Sequence, residues 1–263
     1  MSIIALLTDY GLTDHYVGTI KGVIKTINPK VEIIDISHNI ELGNVLAANF
    51  LLVQSFKFFP INTIFISIVD PDVGSKCEPI LIQTKNYYFI GRNNGVFSQV
   101  LEIEIIEKII VLDNDNYFLK PISNTFHGRD IFAPIAAYLS KGINPKEFGK
   151  EINSNYLFNL PLPKPLIKED VIEGNIIYVD SFGNLITNIH KNILKNELSK
   201  YIIKINNIEI KGICSTFSDV RAKDIVCYIG SSQYLEIASN FDNLDKKNPD
   251  LKNQKIIVIY KVD

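Results

Sequence analysis

Residues 2–36 read SIIALLTDYGLTDHYVGTIKGVIKTINPKVEIIDI, and two periodicities within this stretch decide the fold class. Residues 2–7 form a short apolar run, the signature of a buried strand, whose polar end is Thr8-Asp9-Tyr10-Gly11. Val17, Ile20, Val23, Ile24 and Ile27 then recur at three- and four-residue steps, which is one face of a helix, with Asp14 placed to cap its start. Asn28-Pro29 stops that helix, and residues 31–36 begin a second strand.

The alternation continues. A helix is predicted over residues 44–56, a strand over 63–69 running into Asp70-Pro71, and further strands over 80–84, 87–90 and 109–112. A last helix, over 130–139, follows the loop Thr125-Phe126-His127-Gly128-Arg129. Strands alternating with helices make residues 1–160 an α/β/α layered domain with a largely parallel sheet. The run Leu160-Pro161-Leu162-Pro163-Lys164-Pro165 neither continues a helix nor pairs centrally in a sheet, so residues 161–169 read as a stiff linker. Residues 170–263 carry short strands with turn signals (174–179, 185–190, 201–210, 225–229, 234–238 and 256–260) and one helical stretch at 191–198. That pattern describes a smaller β-barrel domain.

Composition excludes several classes of function. Of 263 residues, 46% are hydrophobic and 21% charged, ordinary for a folded chain, and a net charge of −2 offers nothing to nucleic acid or an anionic membrane. Asp9 ends the opening apolar run too early for a signal peptide or a membrane span, which makes the cytoplasm the expected compartment. Cys77, Cys214 and Cys227 have no CxxC spacing, and His15, His38, His127 and His190 are scattered, so neither a disulfide framework nor a metal site is expected. Gly-x-Ser-x-Gly and both glycine-rich phosphate-loop motifs are absent.

The polar clusters carry the chemistry. In open α/β sheets ligands bind outside the carboxyl ends of the strands, where Asp9 and Asp70 fall. Each is also a common turn former, but two such acids lying near each other are harder to explain as turns alone. His127 has a plain reading as a surface histidine beside a capped helix. Paired with Asp70 it makes a water-binding couple. In Asp180-Ser181-Phe182-Gly183-Asn184 a β-turn explains Gly183 and Asn184 but not Phe182, whereas a purine site needs both a stacking face and an amide. Gly230-Ser231-Ser232-Gln233-Tyr234 offers hydroxyls and N–H groups to a carboxylate.

Taken in order, Thr8-Asp9-Tyr10-Gly11 with Tyr16-Val17-Gly18 and Lys21-Gly22, Asp35-Ile36-Ser37-His38, Val69-Asp70-Pro71, Asn93-Asn94-Gly95, residues 125–134, 180–189 and 234–238 resemble one family over nearly the whole chain. It is the adenosine-forming S-adenosylmethionine hydrolases, relatives of the fluorinases and chlorinases. The resemblance implies S-adenosylmethionine as substrate with no cofactor, and a homotrimer with the ligand at a subunit interface. By position it implies Asp9 on the ribose hydroxyls with Asp14 supporting that loop. Phe182, Asn184 and Phe217 would hold adenine, Asp180 the methionine ammonium and Ser231 its carboxylate, while Asp70 and His127 would position the attacking water. The family's third member there is an arginine seven residues after Asp70. Here that position is Cys77, beside Lys76, and Asp72 stands where the family usually has glycine. A thiol does not replace a guanidinium, so these departures bear on rate more than on binding. A halogenase is the nearest enzymatic alternative, although its serine would sit where Gly128 stands. A binding protein without turnover is the alternative from another class.

Overall fold

The computed structural model describes residues 2–70 and 77–261. Pro71, Asp72 and Lys76 lie outside the described residues. The chain divides after Leu160 into two compact units.

The first unit is built on β1 (Ile3–Thr8), α1 (Tyr16–Ile27), β2 (Glu32–Ser37), α2 (Val45–Ser55) and β3 (Ile64–Ile68). It continues through β4 (Pro79–Thr84), β5 (Tyr88–Arg92), α3 (Ser98–Leu101), β6 (Ile106–Leu112), α4 (Ala133–Ser140) and β7 (Gly149–Glu151). The sheet order is β2-β1-β3-β5-β4-β6-β7. Pairing is parallel across β2, β1, β3 and β5, and antiparallel from β5 outward through β4, β6 and β7. The sheet is thus mixed, and its parallel half is the part whose carboxyl ends matter below.

Side-chain alternation along the strands sorts the core into two layers. Ile4 and Leu6 of β1 face α1 and α4, where Ile20, Ile24, Ile135 and Ala136 are fully buried. Each buried isoleucine among them contributes about 1.5–3 kcal/mol of burial. On the opposite face Phe65 and Phe89 stack at 5.3 Å between centroids, and Phe56, just past α2, meets Phe89 edge-on at 6.2 Å. The helices therefore cover both faces. Asp14 does not cap α1: the helix starts at Tyr16 after His15, without a side-chain cap bond. Asn44 does cap α2, accepting from the Ala47 N–H at 2.9 Å. The helix predicted from residue 130 begins as a π-turn over Gly128–Phe132 and becomes α-helical at Ala133.

The second unit contains β8 (Leu166–Lys168), β9 (Val171–Val179), β10 (Leu185–His190), β11 (Tyr201–Ile205), β12 (Ile208–Lys211), β13 (Ile225–Ile229), β14 (Tyr234–Ser239), α5 (Leu244–Lys247) and β15 (Lys255–Tyr260). They form an antiparallel sheet ordered β12-β11-β15-β9-β10-β14-β13, with β8 added against β9, nearly closed and barrel-like. Leu185, Ile203, Cys227, Ile237 and Val258 fill its interior. Two local expectations change here. The strand predicted over 201–210 is a hairpin, because Asn206 adopts φ 50 and reverses the chain. The helical stretch predicted over 191–198 is only two 3-10 turns, Lys191–Ile193 and Leu198–Lys200. Leu166–Lys168, within the proline-bearing stretch read as linker, is strand. Cys214 and Cys227 are free thiols. Among the described residues no helix is long and apolar enough to cross a membrane.

Candidate active site

The parallel half of the first sheet aligns its carboxyl ends. Thr8 pairs with Ile68, and Ser67 pairs with Gly91, so the residues leaving β1, β3 and β5 emerge at one level. Asp9, Asp70 and Arg92 stand there, and with His127 they line a pocket of about 70 Å³ floored by Ile68 and Phe132. Of the expected residues Asp9, Asp70 and His127 are brought together. Asp14 is exposed and does not line the pocket.

Asp9 is held from behind. Its Oδ2 accepts from the Gly43 N–H at 2.9 Å, and its own N–H donates to the Ile68 carbonyl at 3.3 Å. Burial pushes its carboxyl above the ordinary 3.8, partly offset by the Gly43 N–H, and the charge of Asp70 adds to the rise. The matched segment Asp35-Ile36-Ser37-His38 supports this loop rather than the ligand. Thr8 Oγ1 lies 2.8 Å from His38 Nδ1, His38 Nε2 lies 3.1 Å from Asp35, and Lys21 bridges to Asp35 at 2.6 Å.

The His127 loop is seated by aromatic contacts. Phe126 meets Tyr10 at 6.0 Å and Tyr16 at 5.2 Å, both edge-on. Asp130 is fully buried and ties the loop back, accepting from the Ser123 N–H at 2.8 Å and from Arg129 Nε at 2.6 Å. The π-turn brings the Gly128 backbone so close that a Cβ there would lie 3.0 Å from both Ile68 Cδ1 and Tyr10 Oη. Burial lowers the His127 pKa below the ordinary 6.5, and the neighbouring guanidinium of Arg92 lowers it further, against the opposing charges of Asp130 and Asp70.

Sequence reading missed Arg92. Its side chain is 5% exposed, its Nε lies 3.0 Å from Asp70 Oδ2 and its Nη1 lies 3.5 Å from His127 Nδ1. The signal was an arginine closing an apolar strand just before Asn93-Asn94-Gly95. That motif itself proves to be scaffolding: Asn94 Nδ2 donates to the Val69 carbonyl at 2.8 Å, and Asn93 binds the backbone of Tyr156 and Phe158 at 2.8 Å each.

In the second unit Asp180 organises its own turn. Oδ1 accepts from the N–H groups of Phe182 and Asn184, each at 2.9 Å, and Oδ2 from Asn184 Nδ2 at 2.8 Å. Gly183 adopts φ 87 with Asn243 packed where a Cβ would stand, so this turn demands glycine. Asp180, Phe182, Asn184 and Phe217 line one pocket of about 580 Å³. Phe182 is 75% exposed and Phe217 49%, which leaves two ring faces open. Ser231 is exposed on the turn joining β13 and β14 and does not line that pocket. A second overlooked residue is Glu236 of β14, whose buried carboxyl is raised by burial. The Tyr228 hydroxyl hydrogen-bonds it, which lowers it in part, and the nearby charge of Asp180 raises it. Among the described residues no group of three or more His, Cys, Asp or Glu is placed to hold a metal ion.

The chain matches the SAM hydroxide adenosyltransferase N-terminal domain over residues 4–149 and the C-terminal domain of the same family over residues 174–248. It is 34% identical to the (R)-S-adenosyl-L-methionine hydrolase of Methanocaldococcus jannaschii, over 94% of this chain and 91% of that one. A fluorinase from Actinoplanes sp. is 27% identical, over 90% and 91%. Among solved structures, an uncharacterized conserved protein from Thermotoga maritima superposes with a TM-score of 0.89 at 35% identity, covering 97% of this chain and 99% of that one. With both domains matched in order, the chain belongs to the SAM hydroxide adenosyltransferase family.

Proposed function

We propose that the protein hydrolyses S-adenosyl-L-methionine to adenosine and L-methionine. The observation that carries this reading is the convergence of Asp9, Asp70 and His127 on one pocket in a chain of this family. Water attacks C5′: the new O–C5′ bond forms as C5′–S breaks, the electron pair leaves on sulfur as a neutral thioether, and one water proton passes to the enzyme. The sulfonium is already a good leaving group, so no general acid is needed. What the site supplies is a water aligned in line with C5′ and eased toward hydroxide, the task of Asp70 and His127. Charge is annihilated in that step, so a poorly hydrated pocket favours it.

Binding falls to the remaining residues. Asp9 accepts from the ribose hydroxyls, with Asp14 supporting its loop. Phe182 and Phe217 give the adenine ring a stacking surface. Asn184 commits one amide N–H to Asp180, and its carbonyl oxygen is the acceptor it has to offer the adenine amine. Asp180 meets the methionine ammonium and Ser231 the carboxylate. A metal-independent, cytoplasmic reaction and a homotrimer with the ligand at a subunit interface belong to the same proposal. The exposed rings of Phe182 and Phe217 supply apolar surface for such an interface.

Halogenation is the second reading, favoured by the fluorinase relative. The close approach of Gly128 to Ile68 and Tyr10 opposes it, because a serine there would crowd both. Purified protein incubated with each sulfonium epimer of S-adenosylmethionine, with and without chloride or fluoride, separates the readings. Adenosine with L-methionine is expected. A 5′-halo-5′-deoxyadenosine product would establish the halogenase instead, and unchanged substrate with measurable binding would leave a binding protein.

A further inference from the structure

Arg92 is the last residue of β5, and its backbone is locked to the Asp70 loop. Asn94, two residues on, donates to the carbonyl of Val69, the residue before Asp70, at 2.8 Å. From that fixed point the guanidinium reaches Asp70 Oδ2 through Nε at 3.0 Å and His127 Nδ1 through Nη1 at 3.5 Å, at the wall of the pocket. Burying a guanidinium is costly, and an arginine that only closed a strand would turn outward to water. A planar fork in contact with two functional side chains also does more than balance charge, because it fixes their orientation.

Arginine has donors and no acceptor, so a hydrogen bond across this 3.5 Å contact requires His127 Nδ1 to accept and the ring proton to sit on Nε2. Position 77, where the family has an arginine and this chain has cysteine, lies two residues before β4, the strand paired with β5 through Pro79 and Arg92. The charge therefore enters from the neighbouring strand.

We propose that Arg92 is the positioning residue of this site, holding Asp70 by its carboxylate and His127 by Nδ1. His127 then meets the attacking water as a donor through Nε2–H, and Asp70 accepts the water's proton. This rests on the hydrolase reading, but its structural half is measurable without turnover.

The test compares the full-length wild-type protein with Arg92→Gln and Arg92→Lys in two measurements: steady-state adenosine formation and the ¹⁵N tautomer signature of His127. In the wild type the imidazole is expected as the Nε2–H form. Arg92→Gln should mix the tautomers and lower kcat about 30-fold or more, with KM changed less than about threefold. Loss of the nearby cation should also move the acidic limb of the kcat profile to higher pH. Arg92→Lys keeps a charge but lacks the fork, so it should fall between the two; it carries the test if Arg92→Gln does not fold. A kcat within about twofold of wild type in the folded variant, or an unchanged His127 tautomer, overturns the proposal. If the wild type forms no adenosine the hydrolase reading fails, and the tautomer measurement still decides whether Arg92 sets the imidazole.

Discussion

The guanidinium of Arg92 lies 3.0 Å from the carboxylate of Asp70, a contact made possible by β3 and β5 being adjacent parallel strands. It places a fixed positive charge against the group proposed to receive the water's proton. Asp70→Asn keeps the shape and removes the proton acceptor. Adenosine formation by this variant should drop about 100-fold or more in kcat, while S-adenosylmethionine affinity measured by calorimetry stays within about threefold. A matching loss of affinity would make Asp70 a binding residue instead.

Phe182 acts on the other side of that division. Its ring is largely exposed and lines the second pocket with Phe217, where stacking on a base contributes about 1–3 kcal/mol. Phe182→Ala should therefore weaken adenosine and S-adenosylmethionine binding roughly tenfold or more, with thermal stability nearly unchanged. Equal affinity in titration calorimetry would remove Phe182 from the site.

The pH dependence follows from two opposite shifts. Burial and then Arg92 depress His127 below 6.5, so Nδ1 stays unprotonated and able to accept from Arg92 into mildly acidic solution, and the acidic limb of kcat, where that hold is lost, should lie below that value. Burial raises Asp9 above 3.8, so the proposed ribose anchor protonates at higher pH than an exposed carboxyl, and the rise in KM as pH falls should begin above that value. Profiles of kcat and KM measured separately between pH 4 and 8 check both, with about half the assays below pH 6.5. A kcat limb above 6.5 would contradict the assignment to His127.

Gly128→Ser introduces a Cβ at 3.0 Å from Ile68 Cδ1 and Tyr10 Oη. Overpacking of this kind costs about 1–3 kcal/mol, visible as a lower midpoint in urea unfolding. No 5′-chloro-5′-deoxyadenosine is expected from the variant in the presence of chloride. Its appearance would show that the pocket is one residue from halogenation.

Cys77→Arg supplies the arginine that the resemblance places at that position. With Arg92 already on the paired strand, a second guanidinium meets like charge, and kcat should not rise by more than about twofold. A larger increase would mean that Arg92 does not fill the role assigned to it.

What the sequence by itself determined is local. Apolar runs followed by helical spacing placed Asp9 and Asp70 at strand ends, and the polar run before α4 marked His127, because each sits where a periodicity breaks. The turn at Asp180 was equally legible, since glycine and asparagine signal tight turns and an aromatic between them does not. Asp14 could not be placed this way: a helix start depends on how the preceding loop packs, and here α1 begins after His15. Nor could the hairpin at Asn206, where one left-handed residue reverses an apolar run.

Only the tertiary structure decided how the pocket of Asp9, Asp70 and His127 is completed. Arg92 closes an apolar strand 22 residues beyond Asp70, and its strand-end place before Asn93-Asn94-Gly95 does not by itself tell which groups it meets. It becomes part of the site because the parallel pairing of β3 and β5 sets their carboxyl ends level, and because Asn94 binds Val69. Glu236 is hidden for the same reason, as one residue of an ordinary strand until the sheet brings Tyr228 and Asp180 to it. Periodicity shows which way a side chain faces along its own element. Which charges meet across elements is fixed by strand order and register, and those emerge only when the whole sheet is assembled.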